Sequence, residues 1–131
     1  MEQIRFWGKN NGLASLLFIN DNEAMFTVRH YITEDERDLF QEWLKKLRDP
    51  MAKVQVIKRV GRIEAGNFGD HKPCREGVWE LKIDQGPGYR VYYALAGVVV
   101  VILLCGGDKG TQNADIKRAI EYWKDWQRRS T

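Results

Sequence analysis

The sequence predicts a single α+β domain, and three observations predict it. Apolar residues recur at helical spacing between Leu39 and Val60 and again between Ile116 and Trp123. Between Trp79 and Leu95 the period shortens to strict alternation, and Val98–Cys105 is an unbroken apolar run. The order of elements is therefore strand, helical hairpin, three-stranded meander, helix, rather than the strand–helix alternation of a parallel sheet. The chain has 131 residues, enough for one core, with 44% apolar and 30% charged residues, a mix that excludes wholesale disorder.

Residues 1–24 read differently from the rest. They are rich in Asn and Gly and carry one apolar patch from Leu13 to Ile19. We read 1–24 as an accessory extension and 25–131 as the domain. Phe26, Val28 and Tyr31 then suggest a short strand. Thr33-Glu-Asp-Glu36 matches a capping box and predicts a helix start, followed by the stripe Leu39, Phe40, Trp43, Leu44 and Leu47. Asp49-Pro50 predicts a second start, because Asp accepts from first-turn N–H groups and Pro fits the first helical position. This second helix is expected to run to about Ala65 and stop at Gly66, with Val54, Ile57 and Val60 in the core and Lys53, Lys58, Arg59 and Arg62 outside.

The meander follows. Trp79, Leu81 and Ile83 alternate with Glu80, Lys82 and Asp84, and Tyr89, Val91, Tyr93 and Leu95 alternate with Arg90, Tyr92 and Ala94. Gln85-Gly-Pro-Gly88 and Ala96-Gly97 supply the turns. Val98–Cys105 is apolar on both faces and belongs at the centre of a sheet. Gly106–Gly110 is expected to break that strand, after which Thr111 or Asn113 caps a last helix bearing Ile116, Ala119, Ile120 and Trp123.

Several function classes are excluded by what the residues do not form. The longest apolar run is eight residues, against about 20 for a membrane span. Cys74 and Cys105 lack metal-type spacing, and His30 and His71 make no metal pattern. No phosphate loop, dinucleotide motif or nucleophile–base triad is visible. Neither metal nor cofactor is expected, and free thiols with no convincing leader point to the cytoplasm. The net charge of +3 is compatible with an anionic partner.

The basic residues carry the chemistry that remains. Arg90 and Tyr92 fall on one face of their strand, and Lys82 on the preceding strand can share it. Lys109 lies in the glycine loop after the central strand, and His71 and Lys72 in the loop entering the meander. Two readings stay open: an open face where Arg90 meets an anion, or a solvated polar face where Arg90 pairs with Glu80 or a nearby acid.

Four blocks add a resemblance. Gly66-Asn-Phe-Gly-Asp-His-Lys72, Gly77-Val-Trp-Glu-Leu-Lys-Ile83, Gly86-Pro-Gly-Tyr-Arg-Val-Tyr-Tyr93 and Gly106-Gly-Asp-Lys-Gly-Thr-Gln112 with Asp115-Ile116 resemble the phage-derived, HigB-like branch of the RelE/ParE superfamily, the addiction-module killer proteins. The resemblance spans about residues 25–125. It implies a helical hairpin packed on a small twisted antiparallel sheet with a C-terminal helix. It also implies the toxin of a type II toxin–antitoxin pair, a ribosome-dependent, metal-independent mRNA endonuclease, with a helix-turn-helix antitoxin, the ribosome and mRNA as partners. On it, Arg90, Lys109, Lys72 and His71 are the expected catalytic residues and Lys82, Tyr92, Arg62 and Lys58 the RNA-binding ones. The general base stays unassigned. The ParE branch offers gyrase inhibition as the alternative, and an inactive toxin that only binds its antitoxin is a third reading.

Overall fold

A computed structural model describes residues 25–131, so the reading of 1–24 as an extension lies outside the described residues. Five strands and three α-helices follow one another. These are β1 (Thr27–His30), α1 (Leu39–Lys46), α2 (Pro50–Ile63), β2 (His71–Pro73), β3 (Val78–Ile83), β4 (Tyr89–Ala96), β5 (Val100–Asp108) and α3 (Gln112–Arg129). The sheet order is β1-β5-β4-β3-β2. β2 to β5 form an antiparallel meander, and β1 adds to it parallel to β5, with Thr27 opposite Val100. The loop expected to enter the meander thus contains a strand of its own.

Alternation in the strands sends two sets of side chains to two faces. Leu81, Ile83, Val91, Tyr93, Val101 and Leu103 pack with Phe40, Leu44, Val56 and Ile63 of the α1–α2 hairpin. Val78, Tyr92, Ala94, Ile102 and Leu104 pack with Ile116, Ala119, Ile120 and Trp123 of α3. The sheet is therefore covered on both sides, and β5, flanked by β1 and β4, is buried on both, as its unbroken apolar run requires.

The expected helix start at Thr33 is corrected. Thr33 closes a turn instead: its carbonyl accepts from Glu36 N at 2.9 Å and its hydroxyl from Arg37 N at 2.9 Å, with Glu36 at φ 65°. The cap is Asp38, which accepts from Gln41 N at 3.0 Å and stands 2.6 Å from His30 Nδ1. It sits directly before the apolar stripe, where the first exposed donors need it. Asp49 caps α2 as expected, accepting from Met51 N and Ala52 N.

The core side of α2 is also corrected. Ala52, Val56 and Ile63 are buried, whereas Val54 is 44% and Ile57 57% exposed. The rotation follows from Arg59, which shares the inward stripe 52–56–59–63. Its guanidinium donates to the carbonyls of Phe68 (2.9 Å), Asp70 (3.0 Å) and Lys82. Turning Val54 and Ile57 inward would turn Arg59 out.

Gly106 and Gly107 do not break β5; the strand continues through them to Asp108. A Cβ on Gly106 would fall 2.2 Å from Trp43 of α1, and one on Gly107 1.8 Å from an Asp115 oxygen of α3. Consecutive residues face opposite sides, so this pair of glycines lets a helix from each layer touch the strand backbone. At the other end β5 starts at Val100, since Gly97 (φ 73°) and the 85% exposed Val98 form the turn.

Candidate functional site

Register brings part of the expected site together. Lys82 stands opposite Arg90, and Arg90 opposite Gly107. In the adjacent row Lys72 stands opposite Glu80, and Glu80 opposite Tyr92. Lys72, Lys82, Arg90 and Tyr92 therefore share the face that carries α3. Lys109 follows two residues after Gly107, and its N–H donates to the Gly88 carbonyl at 3.1 Å. Lys72, Lys82 and Lys109 are exposed. None of the three makes an ion pair among the described residues.

The face is not open throughout, as the first of the two readings required. α3 begins at Gln112 and lies over its middle, so Arg90 is only 7% exposed and Tyr92 is fully buried. Arg90 Nε donates to Glu80 Oε2 at 3.3 Å, which realises the paired reading. Glu80, itself 1% exposed, accepts at Oε1 from Gln112 Nε2 at 3.2 Å and from the Cys74 thiol at 3.6 Å. Burying two charges is costly unless each is paired and further hydrogen-bonded, and the Gln112 and Cys74 contacts supply that for the carboxylate. Arg90 Nη1 and the Tyr92 hydroxyl are buried without a hydrogen-bond partner among the described residues. Asp115 accepts from the Thr111 hydroxyl and from Arg118 at 2.7 Å.

This environment sets the titrations around it. Burial first, then the Glu80 carboxylate, pushes the Cys74 thiol up to about 11. Burial and then the Glu80 and Asp115 carboxylates raise the Tyr92 phenol well above its ordinary value. Neither is an acid–base group for neutral pH.

The other expected residues lie elsewhere. His71 pairs in register with Leu81, and so belongs to the hairpin face, opposite Arg90. Its ring packs between Phe68 (5.4 Å) and Trp79 (5.8 Å), with Nδ1 2.8 Å from the Gly69 carbonyl. Lys58 and Arg62 are exposed on α2, in the hairpin layer. Two basic surfaces on opposite sides of the sheet thus replace the one expected. Trp123 is core, stacked on the half-buried Trp126 at 5.4 Å. Gln112 and Asp115 lie in the fourth sequence block but were given no role there; the contacts of Gln112 with Glu80 and of Asp115 with Thr111 and Arg118 place both at the site.

Among the described residues no group of three or more His, Cys, Asp or Glu is placed to hold a metal ion. None of the described helices is long and apolar enough to cross a membrane.

Comparison with known proteins bears on all of this. The chain is 52% identical over 80 residues to an uncharacterized protein of Haemophilus influenzae, an alignment covering 61% of this chain and 81% of that one. A chain in the crystal structure of the toxin–antitoxin complex RelBE2 from Mycobacterium tuberculosis superposes with a TM-score of 0.48 at 20% identity, over 69% of this chain and 98% of that one. Residues 42–124 match the family described as phage derived protein Gp49-like (DUF891). That span runs from α1 through the meander into α3, taking in Glu80, Arg90, Lys109 and Asp115, and by it this chain belongs to the phage-derived Gp49-like family.

Proposed function

We propose that this protein is the toxin of a type II toxin–antitoxin pair and acts as a metal-independent endoribonuclease on mRNA at the ribosome. The observation that carries the reading is the rim of three exposed lysines, Lys72, Lys82 and Lys109, set around the held guanidinium of Arg90 on one end of the α3 face. Membership of the Gp49-like family supports it, as do the four sequence blocks that supply these residues.

In cleavage of this kind the 2′-hydroxyl of one nucleotide attacks the adjacent phosphorus, and the 5′-oxygen of the next nucleotide leaves. The phosphoryl oxygens gain charge in the transition state, and fixed cations lower its energy. Lys82 and Lys109 are the side chains free to reach them. Arg90 acts as the fixed charge between the two, aligned by Glu80. Lys58, Arg62 and His71, on the other side, are suited to holding a longer RNA or the ribosome rather than the scissile phosphate. A helix-turn-helix antitoxin is the proposed partner, and the cytoplasm the proposed place of action.

The test is induced expression together with purified protein on translating ribosomes. Lys82→Ala and Lys109→Ala leave the core intact, so each is expected to stay folded and to lose roughly tenfold or more in mRNA cleavage. Full cleavage by the folded Lys82→Ala/Lys109→Ala protein would overturn the site. No cleavage by the native protein, with inhibition of gyrase supercoiling instead, would overturn the activity.

A further inference from the structure

The sheet ends at β1, and no strand follows it among the described residues. The Thr27 and Tyr31 N–H groups donate to the Val99 and Leu103 carbonyls on the β5 side, at 2.8 and 2.9 Å. Register gives Arg29 the same side, opposite Ile102. The N–H and C=O groups of Val28 and His30 therefore point away from β5, to the open edge. The two residues are about 7 Å apart, the repeat that another extended backbone matches.

This edge has a groove on each face. Val28 and His30 open on the one toward the hairpin, lined also by Phe40, Leu44, Ile57 and Val60. There Ile57 is 57% exposed. Arg29 opens on the other, beside Val100, Trp123 and Trp126. A strand added at β1 sends alternate side chains into the two grooves, while its backbone satisfies the edge.

Charge selects the occupant. Arg29 is exposed and makes no ion pair among the described residues. A second copy would bring its own β1 about a two-fold axis. The register that bonds Val28 and His30 to their counterparts then sets Arg29 directly against Arg29, and like charges so placed are destabilising. An acidic residue at that position is favoured instead.

We infer that β1 receives an extended segment of a different polypeptide as a sixth strand. The segment carries an acidic residue opposite Arg29 and apolar residues on the face toward Ile57 and Val60. β1 lies at the far end of the sheet from β2 and β3, which carry Lys72 and Lys82, so this surface is independent of the lysine rim.

Amide hydrogen exchange of the full chain, read by NMR, tests this with a capped six-residue peptide alternating isoleucine and glutamate. In the free protein the Val28 and His30 amides are expected to exchange near the intrinsic rate, while the Tyr31 amide is protected. Peptide at about 1 mM is expected to slow the first two roughly threefold or more. Arg29→Glu, at an exposed position, is expected to weaken this peptide about threefold or more and to favour one with lysine in place of glutamate. No slowing by the peptide overturns the inference, as does an unchanged charge preference in Arg29→Glu. Equal binding by the same peptide N-methylated on its amides also overturns it, because packing without strand pairing would then suffice. So does protection of Val28 and His30 in the free protein: if independent of concentration, the chain covers its own edge, and if it grows with concentration, a second copy does.

Discussion

Removing the Glu80 carboxylate should be among the most damaging single changes in this protein. Glu80 is 1% exposed and is the counter-ion of Arg90, itself 7% exposed with one guanidinium nitrogen already partnerless among the described residues. Glu80→Ala leaves that charge buried with nothing opposite, and strands the Gln112 amide and Cys74 thiol as well. Breaking a buried pair from one side costs about 3–5 kcal/mol. Against a total stability of roughly 5–15 kcal/mol that is a large share. Removing both charges is different: Glu80→Leu with Arg90→Met leaves no uncompensated ion and should recover most of the loss. Glu80→Gln, which keeps the shape and one acceptor, should fall between. Urea unfolding followed by tryptophan fluorescence reads this directly, since a slope of about 1–3 kcal/mol per molar turns the Glu80→Ala loss into a midpoint shift of 1 M or more. A loss below about 1 kcal/mol for Glu80→Ala, or a double variant no more stable than the single one, would refute the reasoning. The same logic makes Arg90→Ala a poor probe of activity, because it strands Glu80.

Glycines give an internal contrast: Gly107→Ala drives a methyl into the Asp115 carboxylate and should lower the unfolding midpoint sharply, while Gly61→Ala, in α2 with nothing within 4 Å, should raise stability by about 0.5–1 kcal/mol. Equal effects from the two would contradict the described packing. The Tyr31 phenol is pushed up to about 12, by burial first and by donating to Asp125 second. A raised value means the fold holds this proton more tightly than the unfolded chain does. Its contribution is thus complete below pH about 10 and lost as pH rises toward the folded value. Native protein should therefore lose more stability than Tyr31→Phe between those limits in alkaline urea titrations; parallel losses would count against it.

What the sequence made legible was whatever period and turn chemistry dictate locally. The meander, its Gly-Pro-Gly turn, the Asp49-Pro50 start and the stripe of α3 all follow from spacing alone. Most of the failures share a cause, a contact distant in sequence. Thr33 satisfies the capping pattern, but it closes a turn with Glu36 and Arg37, and Asp38, directly before the stripe and beside His30 of β1, caps the helix. Val54 and Ile57 match a helical stripe as well as Val56 does; Arg59, held by carbonyls of Phe68 and Lys82, chooses between them. Gly106 and Gly107 read as breakers because nothing local reveals Trp43 and Asp115 pressing on them from opposite sides. At the site, alternation put Lys82, Arg90 and Tyr92 on one face, but that α3 returns over that face is a property of the assembled layers.

The pairing of β1 with β5 has a kinetic meaning. The first strand of the domain finds its partner only in the last, and Tyr31–Asp125 and Arg129–Ile32 contacts then fasten the same end to α3. Closing so long a loop is slow relative to zipping the meander hairpins, whose partners are neighbours in sequence. A nascent chain that has not yet produced β5 lacks the strand with which β1 pairs. The topology therefore makes the seating of β1 on β5 the longest closure in the sheet, set against the short closures that join β2 through β5.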